Sequence, residues 1–138
     1  MDKEVVSVKI EMLRRCLRRI KDKTPDSAKS LMDDYDVQDI ICINLERAVQ
    51  ICVDLASHVI ADADLPAPTT MAETFDQLRR LDFISAELAS RMKKAVGFRN
   101  IAVHAYQRID WMIVYCIITN RLEDFRAFAD AVARAAHL

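Results

Sequence analysis

One glycine in 138 residues is the feature that most restricts what this chain can fold into. Tight hairpin turns need backbone at positive φ, and glycine is the residue that goes there without penalty. With a single glycine and three prolines, the chain is poorly equipped for sheets and well equipped for helices joined by short connections. Hydrophobic residues make up 52% and charged residues 30%, which fits a packed globule rather than a disordered segment. At this length one domain over residues 1–138 is expected, large enough to bury a core without staples.

Hydrophobic spacing predicts about five helices packed as an antiparallel all-α bundle. The first covers roughly residues 4–22, with Val5, Val8, Met12, Cys16, Leu17 and Ile20 on one broad face. Thr24-Pro25-Asp26-Ser27 ends it, and a polar connection follows with a short helical turn expected at Ser27–Met32. The second runs from about Val37 to Asp64. Its residues Ile41, Leu45, Ala48, Cys52, Leu55 and Val59 alternate by four and three, a seam for packing against another helix. Beside the seam, rotated by about 100°, lies a narrow stripe of Asn44, Arg47, Ile51, Asp54 and His58. Apolar residues flank that stripe on both sides, so a cleft or a subunit interface competes with ordinary partly exposed side chains as its setting. Pro66-Ala67-Pro68 interrupts the chain, and Thr70 with Glu73 forms a capping-box pattern for a third helix. Ser85 is a cap for a fourth, which Gly97 is placed to terminate. The last helix is expected from about Asp110 to Ala136, with Trp111, Val114 or Tyr115, Ile118, Leu122, Phe125, Ala129 and Val132 along one side.

Composition excludes several functions. The formal net charge is -1, so no global positive field gathers nucleic acid and any RNA contact must be local. Lys9, Arg14, Arg15, Arg18, Arg19, Lys21 and Lys23 crowd the first helix. They make either a solvated face or a binding surface. Cys16, Cys42, Cys52 and Cys116 form no CxxC pair and sit in apolar stretches, which speaks against structural zinc and for reduced thiols. The N-terminus lacks the apolar core of a signal peptide, and no run approaches the ~20 apolar residues that span a bilayer. A cytoplasmic protein is expected.

The chemistry concentrates in Gly97-Phe98-Arg99-Asn100-Ile101-Ala102-Val103-His104-Ala105-Tyr106. This segment holds a guanidinium, an amide, an imidazole and a phenol between two apolar helices. Arginine grips phosphate through a planar fork of donors and stays charged. Histidine exchanges protons near neutral pH. Together they suit cleavage of an RNA phosphodiester by the neighbouring 2′-hydroxyl, which needs a base, an acid and positive charge on the phosphorane. That route requires neither metal nor cofactor. Geometry adds a condition. Five helical positions rotate by ~140°, so Arg99 and His104 do not share a helix face. Either the helix ends between them or a second chain contributes. One histidine also cannot serve at once as base and acid, whereas two copies of the segment could. His58, Trp111, Tyr115, Phe125 and Phe128 read as packing residues.

The spacing Arg99-x4-His104-x-Tyr106, with Asn100 after the arginine, resembles the signature of the HepT group of HEPN-domain ribonuclease toxins. The similarity extends to Lys93-Lys94-x-Val96-Gly97, to the stretch from Asn44-Leu45 to Asp54-x-Ala56-x-His58, and to Leu122-Glu123-Asp124-Phe125. It covers nearly the whole chain. The resemblance implies a HEPN homodimer whose motifs face one cleft. It implies metal-independent RNA cleavage, of tRNA or mRNA, by Arg99 and His104, with Asn100 orienting them. It implies that Tyr106 accepts AMP from a nucleotidyltransferase antitoxin of the MntA type. The stripe of Asn44, Arg47, Asp54 and His58 would then line the cleft. The competing expectation is a non-catalytic helical subunit that presents Arg99 and Asn100 to a nucleotide or substrate held by a separate nucleotidyltransferase.

Overall fold

A computed structural model describes residues 1–138 as seven α-helices and one 3₁₀ turn, with no strand. The helices are α1 (Lys3–Lys23), α2 (Ala28–Asp33), α3 (Tyr35–Asp62), α4 (Met71–Arg80), α5 (Ala86–His104), α6 (Trp111–Asn120) and α7 (Leu122–Ala135), with the 3₁₀ turn at Tyr106–Arg108 between α5 and α6. Short polar side chains start six of them. Asp2, Ser27, Asp34, Thr70, Ser85 and Asp110 each accept a backbone N–H of the first turn. The capping box at α4 is shifted by one residue. Thr70 Oγ1 accepts from Glu73 N at 3.1 Å, while the Glu73 carboxylate reaches past Thr70 to Thr69 N at 2.9 Å.

The bundle is organised around α3. Its expected seam is real: Ile41, Leu45, Ala48, Cys52 and Leu55 are fully buried and Val59 nearly so. α1 packs along it, α4 and α7 close two further sides, and α5 packs against α4, α3 and α7. Phe75 of α4 meets Phe128 of α7 edge to face, with centroids 5.6 Å apart and planes at 75°, and both rings are wholly buried.

The short helical turn expected after α1 is present, as the six-residue helix α2 capped by Ser27. Three expectations need correction. On α1 the buried face is Val6, Ile10, Leu13, Cys16, Leu17 and Ile20, whereas Val5, Val8 and Met12 are exposed. The long final helix is broken at Arg121, where φ is -123° and ψ is 4°. Thr119 and Asn120 precede the break. Both are poor helix formers, and the Thr119 hydroxyl bonds back to Tyr115 O at 2.7 Å. The break lets α6 lean on α2 while α7 seats Phe125, Phe128 and Val132 in the core. Gly97 ends nothing. The chain contains no positive-φ glycine, and α5 runs through it to His104. A Cβ added at Gly97 would meet no atom within 4 Å, so nothing in the chain itself demands glycine there.

Candidate active site

The signature segment occupies the end of α5 and the turn beyond it. Ala105 leaves helical geometry at φ -148° and ψ 51°, although its N–H still donates to Ile101 O at 2.8 Å. A 3₁₀ turn follows, closed by Arg108 N donating to Ala105 O at 2.8 Å and Ile109 N donating to Tyr106 O at 3.1 Å. Asp110 then caps α6 through Met112 N at 3.0 Å. The polypeptide therefore changes direction immediately after His104, and Tyr106 swings against α3.

Arg99 and His104 both lie within unbroken α5. Of the two routes left open by their spacing, an end of the helix between them is absent. Their side chains leave the axis ~140° apart. Arg99 is half-buried and its Nη1 donates to Asn100 Oδ1 at 3.4 Å, a long contact that couples guanidinium and amide. Asn100 and His104 are exposed.

Tyr106 is 40% exposed yet held at two points. Its hydroxyl donates to Asp39 Oδ1 at 2.8 Å, and its ring meets Trp111 edge to face at 6.0 Å and 68°. Burial of the ring, then the Asp39 hydrogen bond, then the nearby Cys42, Asp39 and Glu46 push the phenol above its ordinary range. The phenol thus stays protonated on a side chain that is partly exposed.

The α3 stripe is not what meets Tyr106. Asn44 is buried and donates to Ile40 O of its own helix at 2.8 Å. Asp54 pairs with Lys9 of α1 at 3.4 Å and accepts from Gln50 Nε2 at 3.0 Å. Arg47 is exposed, and its charge acts on Cys16 of α1, where burial nevertheless dominates and raises the thiol. His58 is half-buried. The α3 residues around the phenol are Asp39, Cys42 and Glu46, which lie about 120° round the helix from that stripe. Sequence reasoning passed over Asp39. Its one signal was the spacing of Asp39, Cys42 and Glu46 along a single helix face.

Beside the motif runs an apolar groove of about 570 Å³ between α5 and α6. Phe98, Ile101, Ile109, Ile113 and Ile117 line it, with Lys94 and Arg108 among its cations. Ile101, Val103, Met112 and Ile113 are all more than two-fifths exposed. No helix is long and apolar enough to cross a membrane, and no cluster of His, Cys, Asp and Glu could hold a metal ion.

The sequence and the fold have known relatives. The chain is 33% identical over 129 residues to the mRNA nuclease HepT of Shewanella oneidensis, spanning 94% of this chain and 96% of that protein. It is 24% identical over 121 residues to the tRNA nuclease HepT of Aphanizomenon flos-aquae, spanning 88% and 82%. Its fold superposes on a tri-AMPylated HEPN toxin of Shewanella oneidensis, solved in complex with MNT antitoxin. That match has a TM-score of 0.89 at 33% identity, covering 97% of this chain and 98% of the other. Residues 13–132 match the family described as Ribonuclease HepT-like, and the chain belongs to that family.

Proposed function

We propose that this chain is the ribonuclease toxin of a toxin–antitoxin pair, that it acts as a homodimer, and that a nucleotidyltransferase antitoxin silences it by placing AMP on Tyr106. One observation carries the reading: a chain of the HepT-like family has Arg99, Asn100 and His104 in the last turns of α5 and Tyr106 in the turn just beyond it. Relatives supply the rest by analogy. Two are named nucleases of mRNA and of tRNA, and one toxin of this fold carries AMP groups beside its antitoxin.

The geometry supports one mechanism. Because α5 is unbroken, one protomer aims Arg99 and His104 apart, and a second copy is needed to surround one phosphate. The exposed apolar residues of α5 and α6, with the groove between them, supply a surface for that copy to cover. In the dimer, one His104 withdraws the 2′-hydroxyl proton while the other protonates the departing 5′-oxygen. The Arg99 pair neutralises the phosphorane, steadied by Asn100. Products are a 2′,3′-cyclic phosphate and a free 5′-hydroxyl. An AMP on Tyr106, two residues from His104, puts bulk and negative charge where the RNA phosphate must enter.

Expression in a bacterial host is the test. The wild-type chain alone arrests growth, co-expression of its nucleotidyltransferase relieves the arrest, and His104→Ala removes it. Equal growth of wild type and His104→Ala at equal protein levels would contradict the toxin reading.

A further inference from the structure

RNA cleavage as derived above makes no use of Asp39. This residue is 67 positions from Tyr106 in sequence, on another helix, yet its Oδ1 is 2.8 Å from the phenol oxygen. Three features of the contact matter together. The carboxylate accepts the very hydrogen that modification of Tyr106 must remove. The Trp111 edge fixes the ring from α6, so the hydroxyl is aimed rather than free to rotate. Both Tyr106 and Asp39 are exposed residues, so their contact lies at the surface, where a docking enzyme can approach it.

We propose that Asp39 is a catalytic residue of the Tyr106 modification, supplied by the target rather than by the transferase: it aims the phenol and receives its proton. This rests on the reading that Tyr106 accepts AMP. In the step, the phenol oxygen attacks the α-phosphorus of a nucleoside triphosphate. A new P–O bond forms as the bond to the β-phosphate oxygen breaks, and pyrophosphate leaves with that electron pair. The phenolic proton passes to the Asp39 carboxylate and then to water. A free carboxylate is far too weak a base to ionise a resting phenol. The transfer is therefore late, when the forming P–O bond has made the phenolic hydrogen acidic, and a base already in contact is what such a step requires. The titratable groups acting on the phenol are Asp39, Cys42 and Glu46, all from α3, while α6 presents the neutral Trp111. They keep the phenol protonated, so the nucleophile depends on help at the moment of attack.

The test is a time course of intact mass with the full chain, its partner nucleotidyltransferase, ATP and magnesium, comparing wild type, Asp39→Asn, Asp39→Glu and Glu46→Gln. Asparagine can still accept the hydrogen bond but cannot take the proton. Asp39→Asn is expected to slow AMP addition to Tyr106 by about 100-fold at neutral pH, with a rate that climbs steeply as pH rises. Asp39→Glu recovers part of the rate, and Glu46→Gln stays within a few-fold of wild type. Co-purification with the partner and an unchanged melting curve establish that the variants are folded. Asp39→Asn keeping pace with wild type, with the same pH profile, would overturn the inference alone. A wild-type chain that gains no AMP at Tyr106 would overturn the modification reading and this inference with it.

Discussion

α3 and α6 are the two most apolar stretches of the molecule, and the fold treats them in opposite ways. Half of the 28 residues of α3 are buried, and the helix packs against α1, α2, α4, α5 and α7. α6 reads Trp-Met-Ile-Val-Tyr-Cys-Ile-Ile-Thr-Asn, yet only Val114 and Ile118 of its ten residues are buried. Met112 and Ile113 remain 56% and 57% exposed. α3 has its partners within the chain. α6, with the adjoining end of α5, has an apolar surface that nothing in the chain covers. The proposed chemistry of the chain lies beside that second region, as expected when stability and function draw on different parts of one molecule.

Paired substitutions sharpen the contrast most. Leu55→Ala empties a wholly buried site on α3 and is expected to cost about 2–5 kcal/mol in chemical denaturation. Ile113→Ser removes a comparable side chain from α6, changes protomer stability by no more than about 0.5 kcal/mol, and shifts sedimentation from dimer towards monomer. Equal destabilisation by the two would break the comparison. The thiols probe it more gently. Cys116 of α6 is exposed, whereas Cys42 and Cys52 of α3 are buried. Iodoacetamide at pH 8 is expected to label Cys116 in the native protein and Cys52 only after unfolding, as read by peptide mass. Burial, then the charges of Glu46 and Asp39, push the Cys42 thiol up from 9.0 to about 12. The folded state therefore holds a proton that the unfolded chain releases. Its contribution to stability is complete below pH 9.0 and is lost as pH climbs towards about 12, so the melting temperature falls across that window.

The buried half of the molecule was the more legible from sequence, for a physical reason. A helix that packs within its own chain writes its periodicity into the sequence. Ile41, Leu45, Ala48, Cys52, Leu55 and Val59 declared the α3 seam, and Thr70 and Ser85 declared the starts of α4 and α5. Gly97 misled because a glycine near an expected helix end usually takes positive φ, and here it stays helical. The break at Arg121 was hidden because the apolar stripe passes through it unchanged, from Ile118 through Leu122 to Phe125. At the site, the local cluster from Arg99 to Tyr106 was visible as an unusual concentration of chemistry. The contact of Tyr106 with Asp39 was not, since only the tertiary fold brings α3 to the turn after α5. The stripe of Asn44, Arg47, Asp54 and His58 reads as a cleft lining, whereas Asp54 is engaged by Lys9 and Asn44 by its own helix.

Incubation of the purified protein with total RNA in EDTA tests the central claim most directly, with wild type beside Arg99→Ala and His104→Ala and with intact mass confirming that Tyr106 carries no AMP. The account predicts cleavage by wild type, 2′,3′-cyclic phosphate ends, and a loss of about 100-fold or more in each variant at unchanged folding. Intact RNA in every lane, from a folded and unmodified dimer, would contradict it.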